Sequence, residues 1–135
     1  MGRNYLIDTG ILSFFLKGHP RVVRRYSKIS EEAPTLSLSV ITYYEILRGL
    51  KRLSLPHKEH GFRTLADAYR LIPVDDSVCE IAAGLYADLG RRGVPLPDAD
   101  ILIAATALRH GLVLVTNNTR HFSRIQNLAL ENWAK

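Results

Sequence analysis

Cysteine is almost missing from this chain. Cys79 stands alone, so no disulfide can close within it, and zinc sites built on several thiolates are excluded. A reducing, cytoplasmic compartment is the expectation that follows. No stretch approaches the roughly 20 apolar residues of a bilayer-spanning helix. The opening MGRNYLIDTG also puts Asp8 where a secretory signal needs its apolar run, so neither membrane insertion nor secretion by that route is expected. Repeats, low-complexity tracts and flexible linkers are absent as well, and 135 residues point to one domain spanning 1–135. Aromatic residues make up only 8%, yet 47% of the chain is hydrophobic and the mean hydropathy is -0.01. That balance excludes a disordered tail and supplies enough apolar volume for a continuous core.

What is present is a surplus of positive charge: +5 net, with a pI near 9.6. Such a balance favours a polyanionic or acidic partner. The cations fall in small groups, Arg21/Arg24/Arg25/Lys28, Arg48/Lys51/Arg52, Arg91/Arg92 and Arg120/Arg124, each of which is also compatible with a solvated helix face. Four apolar runs read as strands: Tyr5 to Thr9, Thr35 to Ser39, Leu71 to Val74 and Leu112 to Thr116. Helical spacing fills the intervals. Pro20 opens a helix with Val22, Val23, Tyr26 and Ile29 on its apolar side, which Pro34 closes. Further helices are predicted over about 40–53, 58–69, 77–92 and 97–110. Within them Val78, Ile81, Ala82, Leu85 and Leu89 form one stripe behind an Asp75 or Asp76 N-cap, and Ile101 to Leu108 is apolar on nearly every side. Alternating strands and helices predict an α/β fold with a central parallel sheet flanked by helices, since parallel strands need crossovers. Ligands of such sheets bind beyond the carboxyl ends of the strands.

Three carboxylates map to that edge. Asp8 ends the first strand, where it serves either as N-cap of the turn at Thr9 and Gly10 or as a ligand. Glu45 sits among Val40, Ile41, Tyr44, Ile46 and Leu47. A carboxylate so placed needs a partner, either Arg48 or a cation at the sheet edge. Asp100 opens the most apolar helix, and Asp98, just after Pro97, is the better N-cap of the two. Three acids converging from distant segments repel one another unless a cation lies between them. With oxygen ligands and no histidine or cysteine beside them, Mg²⁺ or Mn²⁺ fits better than Zn²⁺. Such sites act on phosphate esters and water. His19, His57, His60, His110 and His121 show no metal-ligand spacing and read as surface residues.

The segments LIDTGIL (6–12), SVITYYEILRG (39–49), PDADILIAATALRHGLVLVTNN (97–118), TRHFSRI and the closing ENW together resemble the PIN-domain nucleases, in the branch of VapC-like toxins of toxin–antitoxin pairs. The resemblance implies a PIN-like three-layer fold. It also implies catalytic and metal-binding roles for Asp8, Glu45 and Asp100, Asp98 as an auxiliary acid, and Thr9 and Thr116 as supporting hydroxyls. Two positions depart from the family pattern. Gly10 stands where relatives often have Asn, and Asn118 where many PIN domains carry a fourth acid, which weakens the case for a second metal ion. The implied activity is Mg²⁺-dependent endoribonucleolytic hydrolysis leaving a 5′-phosphate and a 3′-hydroxyl, on a structured RNA such as a tRNA. The implied partners are a VapB-like antitoxin and a second copy of the chain, for which Phe14, Phe15, Tyr43 and Tyr44 offer surplus apolar surface. Two alternatives stay open: a non-catalytic module binding RNA or a partner protein, and a structure-specific DNA nuclease.

Overall fold

The computed structural model describes residues 4–32 and 36–135. In chain order the elements are β1 (Tyr5–Ile7), α1 (Thr9–Leu16), α2 (Pro20–Ser30), β2 (Leu36–Ser39), α3 (Val40–Arg52), α4 (Pro56–Asp67), β3 (Arg70–Ile72), α5 (Asp76–Arg91), α6 (Asp98–His110), β4 (Val113–Val115), α7 (Thr119–Phe122) and β5 (Leu130–Glu131). The strands form one sheet in the order β3-β2-β1-β4-β5, every pairing parallel. This is the expected three-layer α/β arrangement.

Side-chain alternation along β1 divides the core in two, because successive residues of a strand face opposite sides of a sheet. Leu6 joins Leu114, Ile72 and the inner faces of α5 and α6, while Tyr5 and Ile7 join Leu38, Val115 and the helices α1 to α4. The α6 segment is buried at Ile101 and from Ile103 through Ala107, as its all-round apolarity requires. Gly111 then closes it in the left-handed conformation, φ 63°, a geometry that glycine adopts without steric penalty. Asp75 caps α5 by accepting from the Val78 N–H at 3.0 Å.

The first strand stops at Ile7 rather than Thr9, and the turn that Asp8 N-caps runs on as a helix from Thr9 to Leu16. Residues 11–16, ILSFFL, interrupt their apolar run only at Ser13, so α1 lacks the polar face that reveals a helix by its period. Phe14, Phe15 and Tyr43, read as surplus, pack against the second core half; Tyr44 alone of the four stays exposed. The short elements α7 and β5 escaped notice because four and two residues hold no periodicity. The N-cap of α6 is Pro97, not Asp98, which occupies the first helical position and makes no capping bond. Helix α2 ends at Ser30; the predicted stop at Pro34 and the start of β2 at Thr35 lie outside the described residues. Among the described residues no helix is long and apolar enough to cross a membrane.

The chain runs from β1 outward to β2 and β3, then returns to the other side of β1 for β4 and β5. The direction of winding therefore changes at β1, and the crevice beyond its carboxyl end is where doubly wound sheets place a ligand.

Candidate functional site

Asp8 occupies that crevice. It is the first residue after β1 and the N-cap of α1, with its backbone extended (φ -71°, ψ 155°) and its N–H tied to the Val115 carbonyl at 2.9 Å. Its carboxylate is held from two sides. Oδ1 accepts from the Thr9 N–H at 2.8 Å, and Oδ2 accepts from the Thr116 hydroxyl at 2.8 Å. Thr116 is fully buried at the end of β4 and in turn accepts from the Asn118 N–H at 3.0 Å. With only 7% of its surface exposed, Asp8 is out of water. Burial pushes its pKa up to about 6, against the lowering effect of Thr116 and the Thr9 N–H, with Asp100 and Glu45 adding repulsion.

Glu45 reaches the same place from α3. Ser39 caps that helix by accepting from the Ile41 N–H at 3.0 Å, which orients α3 directly off the end of β2. The Thr9 hydroxyl donates to Glu45 Oε1 at 2.7 Å and lies 3.1 Å from the Thr42 hydroxyl, so one side chain links the first turn of α1 to α3. Arg48 approaches the other oxygen, Oε2, at 3.7 Å. That weak, largely exposed ion pair is the bland partner expected of Glu45. Asp100, in the first turn of α6, completes the group. Burial raises its pKa, the Glu45 charge raises it further, and His121 counteracts both.

Three carboxylates from β1, α3 and α6 thus act on one another electrostatically, as the sequence predicts. Among the described residues the only basic side chain within ion-pair distance of any of them is Arg48. The N-termini of α1 and α6 bring partial positive charge toward Asp8 and Asp100. Burial nevertheless dominates, and both carboxyls are raised rather than lowered. No three Asp, Glu, His or Cys side chains among the described residues are gathered closely enough to form a ready coordination shell. The donor chemistry, all oxygen and short of positive charge, fits a hard divalent cation.

The other predicted residues divide. Thr9 and Thr116 stand in the site, each with a hydrogen bond to a carboxylate. Asp98 is exposed and acts on neither Asp8 nor Asp100. Asn118 contributes its backbone to Thr116 and turns its side-chain amide to His121 Nδ1 at 2.8 Å. Thr42 and Asn117 go unread in the sequence, and His121, expected at the surface, is a third participant. His121 is half-buried, its charge acts on Asp100, and it lies on α7 three residues after the N-cap Asn118. Thr42 precedes Glu45 by three on α3 in the same way. Asn117 fills the space next to Gly10, where an added Cβ would meet its Oδ1 at 2.7 Å. The missing side chain at position 10 is therefore replaced by one from across the crevice.

Residues 5–128 match the PIN domain family. Ribonuclease VapC2 of Haemophilus influenzae is 31% identical over 132 residues, covering 96% of this chain and 97% of its own. The tRNA(fMet)-specific endonuclease VapC of Shigella flexneri is 29% identical over 134 residues, covering 96% and 98%. The crystal structure of VapBC2 from Rickettsia felis bound to a DNA fragment from its promoter superimposes with a TM-score of 0.87 at 25% identity, covering 96% of this chain and 98% of that one. This chain belongs to the PIN-domain family, in the branch of the VapC ribonucleases.

Proposed function

We propose that the protein is a divalent-metal-dependent endoribonuclease acting as the toxin of a toxin–antitoxin pair, with Asp8, Glu45 and Asp100 as its catalytic acids. The observation that carries this reading is the buried Asp8 carboxylate, held by two donors yet raised to about 6 and repelled by two further acids. A site in that state gains stability by binding a cation. Asp8, Glu45 and Asp100 would hold Mg²⁺ or Mn²⁺, which when bound neutralises phosphodiester oxygens and lowers the pKa of an attacking water. Thr116 and the Thr9 N–H fix Asp8 in one rotamer, and the Thr9 hydroxyl does the same for Glu45. Hydrolysis would leave a 5′-phosphate and a 3′-hydroxyl. The substrate we propose is a structured RNA such as a tRNA, the class named for the Shigella relative.

The antitoxin reading rests on a second feature. A groove of about 700 Å³ runs between α1, α3 and α4, walled by Leu16, Ile46, Leu50, Leu53, Phe62 and Leu65, with Thr9 and Glu45 in its lining. An apolar segment of a VapB-like partner laid in it would end at the acidic cluster and block it. A homodimer and a cytoplasmic location complete the proposal.

Incubating the protein with total RNA and Mg²⁺, with and without chelator, and mapping the ends tests the activity. Chelator-sensitive cuts bearing 5′-phosphates, lost in Asp8→Ala and Asp100→Ala, are expected. Undiminished cutting by both variants, or by the wild type in chelator, would refute the assignment. Light scattering tests the dimer, which a strict monomer at micromolar concentration would exclude.

A further inference from the structure

Helix α3 carries more on its outer side than the mechanism uses. Tyr44, Arg48, Lys51 and Arg52 follow one another at spacings of four, three and one, and all four are exposed. Tyr44 is 58% exposed although it adjoins the half-buried Glu45. The Arg48 guanidinium lies over the Tyr44 ring at 5.1 Å from its centroid while also facing Glu45 Oε2 at 3.7 Å. Arg48 therefore ties the aromatic ring to the acidic cluster. Lys51 is engaged by Glu59 at 3.3 Å, whereas Arg52 has no carboxylate within ion-pair distance among the described residues.

We propose that this stripe is the substrate-reading edge of the crevice: an unpaired nucleobase stacks on Tyr44, and the adjoining phosphates lie along Arg48 and Arg52. The inference rests on the nuclease reading for its substrate, but not for its geometry. An aromatic ring left in water, backed by the Arg48 guanidinium and continued by the unpaired Arg52, matches the alternation of flat base and anionic phosphate in a single strand. A paired base has both faces covered by its neighbours and cannot use the ring. A second copy of the chain fits poorly, since a two-fold contact centred here sets Arg48 and Arg52 against their own equivalents. The surface therefore selects loops or single-stranded segments over duplex.

The test measures binding without cleavage, by fluorescence anisotropy in chelator. The probes are an RNA hairpin with an unpaired loop, a blunt duplex of the same stem, and the hairpin with 2-aminopurine in its loop. Wild type should prefer the hairpin. Tyr44→Ala should weaken hairpin binding about tenfold, a typical value for losing one stacked base, while duplex binding stays unchanged. Tyr44→Trp should keep hairpin affinity and the change in 2-aminopurine emission. Arg52→Glu should weaken hairpin binding more than Arg24→Glu, which reverses a charge on the separate α2 stripe of Arg21, Arg24 and Lys28. Hairpin affinity untouched by Tyr44→Ala, equal losses on hairpin and duplex, or a greater effect of Arg24→Glu would each overturn the proposal. So would a Tyr44→Ala variant that differs from wild type only in oligomeric state. Loop binding through Tyr44 by a protein that cuts no RNA would uphold this surface and remove the nuclease reading, and a nuclease indifferent to Tyr44 would do the reverse.

Discussion

The Thr116 hydroxyl donates a 2.8 Å hydrogen bond to Asp8 Oδ2 across 108 positions of sequence, and both side chains are buried. The bond fastens the ends of the two neighbouring strands β1 and β4 at the point where the sheet reverses its winding. It also decides which way the carboxylate faces. Thr116→Val keeps the shape and deletes the donor, so Oδ2 loses its only donor among the described residues. A loss of about 1–3 kcal/mol in unfolding free energy is expected. The Mg²⁺ concentration for half-maximal cleavage should also rise several-fold, and Thr116→Ser should restore it. Chemical denaturation and a metal titration of each variant check both effects.

The raised Asp8 carboxyl gives the metal-free protein a signed pH dependence. Between its ordinary value of 3.8 and about 6 the folded state binds a proton that the unfolded chain has released. Stability from this group therefore falls as pH rises through that window and stays low above it, by at most about 3 kcal/mol. Asp8→Asn removes the titration. In chelator, the variant should gain on wild type from about pH 4 to pH 6 and hold that lead above it, and the two curves should run parallel throughout if the carboxyl titrates normally. Adding Mg²⁺ to wild type should raise its melting temperature more at pH 7.5 than at pH 5.

Thr9 makes the corresponding bond on the other side of the crevice, to Glu45 Oε1. Thr9→Val should leave the fold intact, because the backbone N–H to Asp8 survives the change. Glu45 is then free to swing toward Arg48, so we expect kcat to fall about tenfold at saturating Mg²⁺, and Thr9→Ser to recover most of it. Unchanged kcat in Thr9→Val would show that Glu45 needs no such tether.

How much of this was legible beforehand follows from what periodicity and charge can carry. The long elements α3, α5 and α6 declare themselves by spacing or by sustained apolarity, and the three acids stand out because each interrupts or introduces an apolar stretch. Helix α1 was hidden by its shortness and by the lack of a polar face. The partners Thr42 and His121 were hidden for another reason: a hydroxyl or imidazole among ordinary neighbours carries no signal until folding brings it beside a carboxylate. Asp98 was misread as a cap because the Pro97-Asp98 pair looks like a helix start shifted by one. Pro97 fills the cap position itself and leaves Asp98 inside the first turn.

That shift changes what Asp98 and Asn118 can be asked. Because Asp98 does not cap α6, Asp98→Asn removes only a charge near a helix N-terminus, an effect of about 0.3–1 kcal/mol on stability. Any larger change in metal requirement must then come from its field on the acidic cluster. Asn118 presents its amide to His121 and offers no negative charge to the crevice. Asn118→Asp would place a carboxylate beside His121 and close to Asp100, lowering the Mg²⁺ needed for half-maximal cleavage. It would also deepen the repulsion in chelator and so lower the melting temperature there. We expect Asp98→Asn to leave the Mg²⁺ requirement unchanged, because Asp98 is exposed and acts on neither Asp8 nor Asp100, and Asn118→Asp to lower it in the same background. A raised requirement in Asp98→Asn would bring its charge into the site after all, and an unchanged titration in Asn118→Asp would mean that Asp8, Glu45 and Asp100 hold a single ion by themselves.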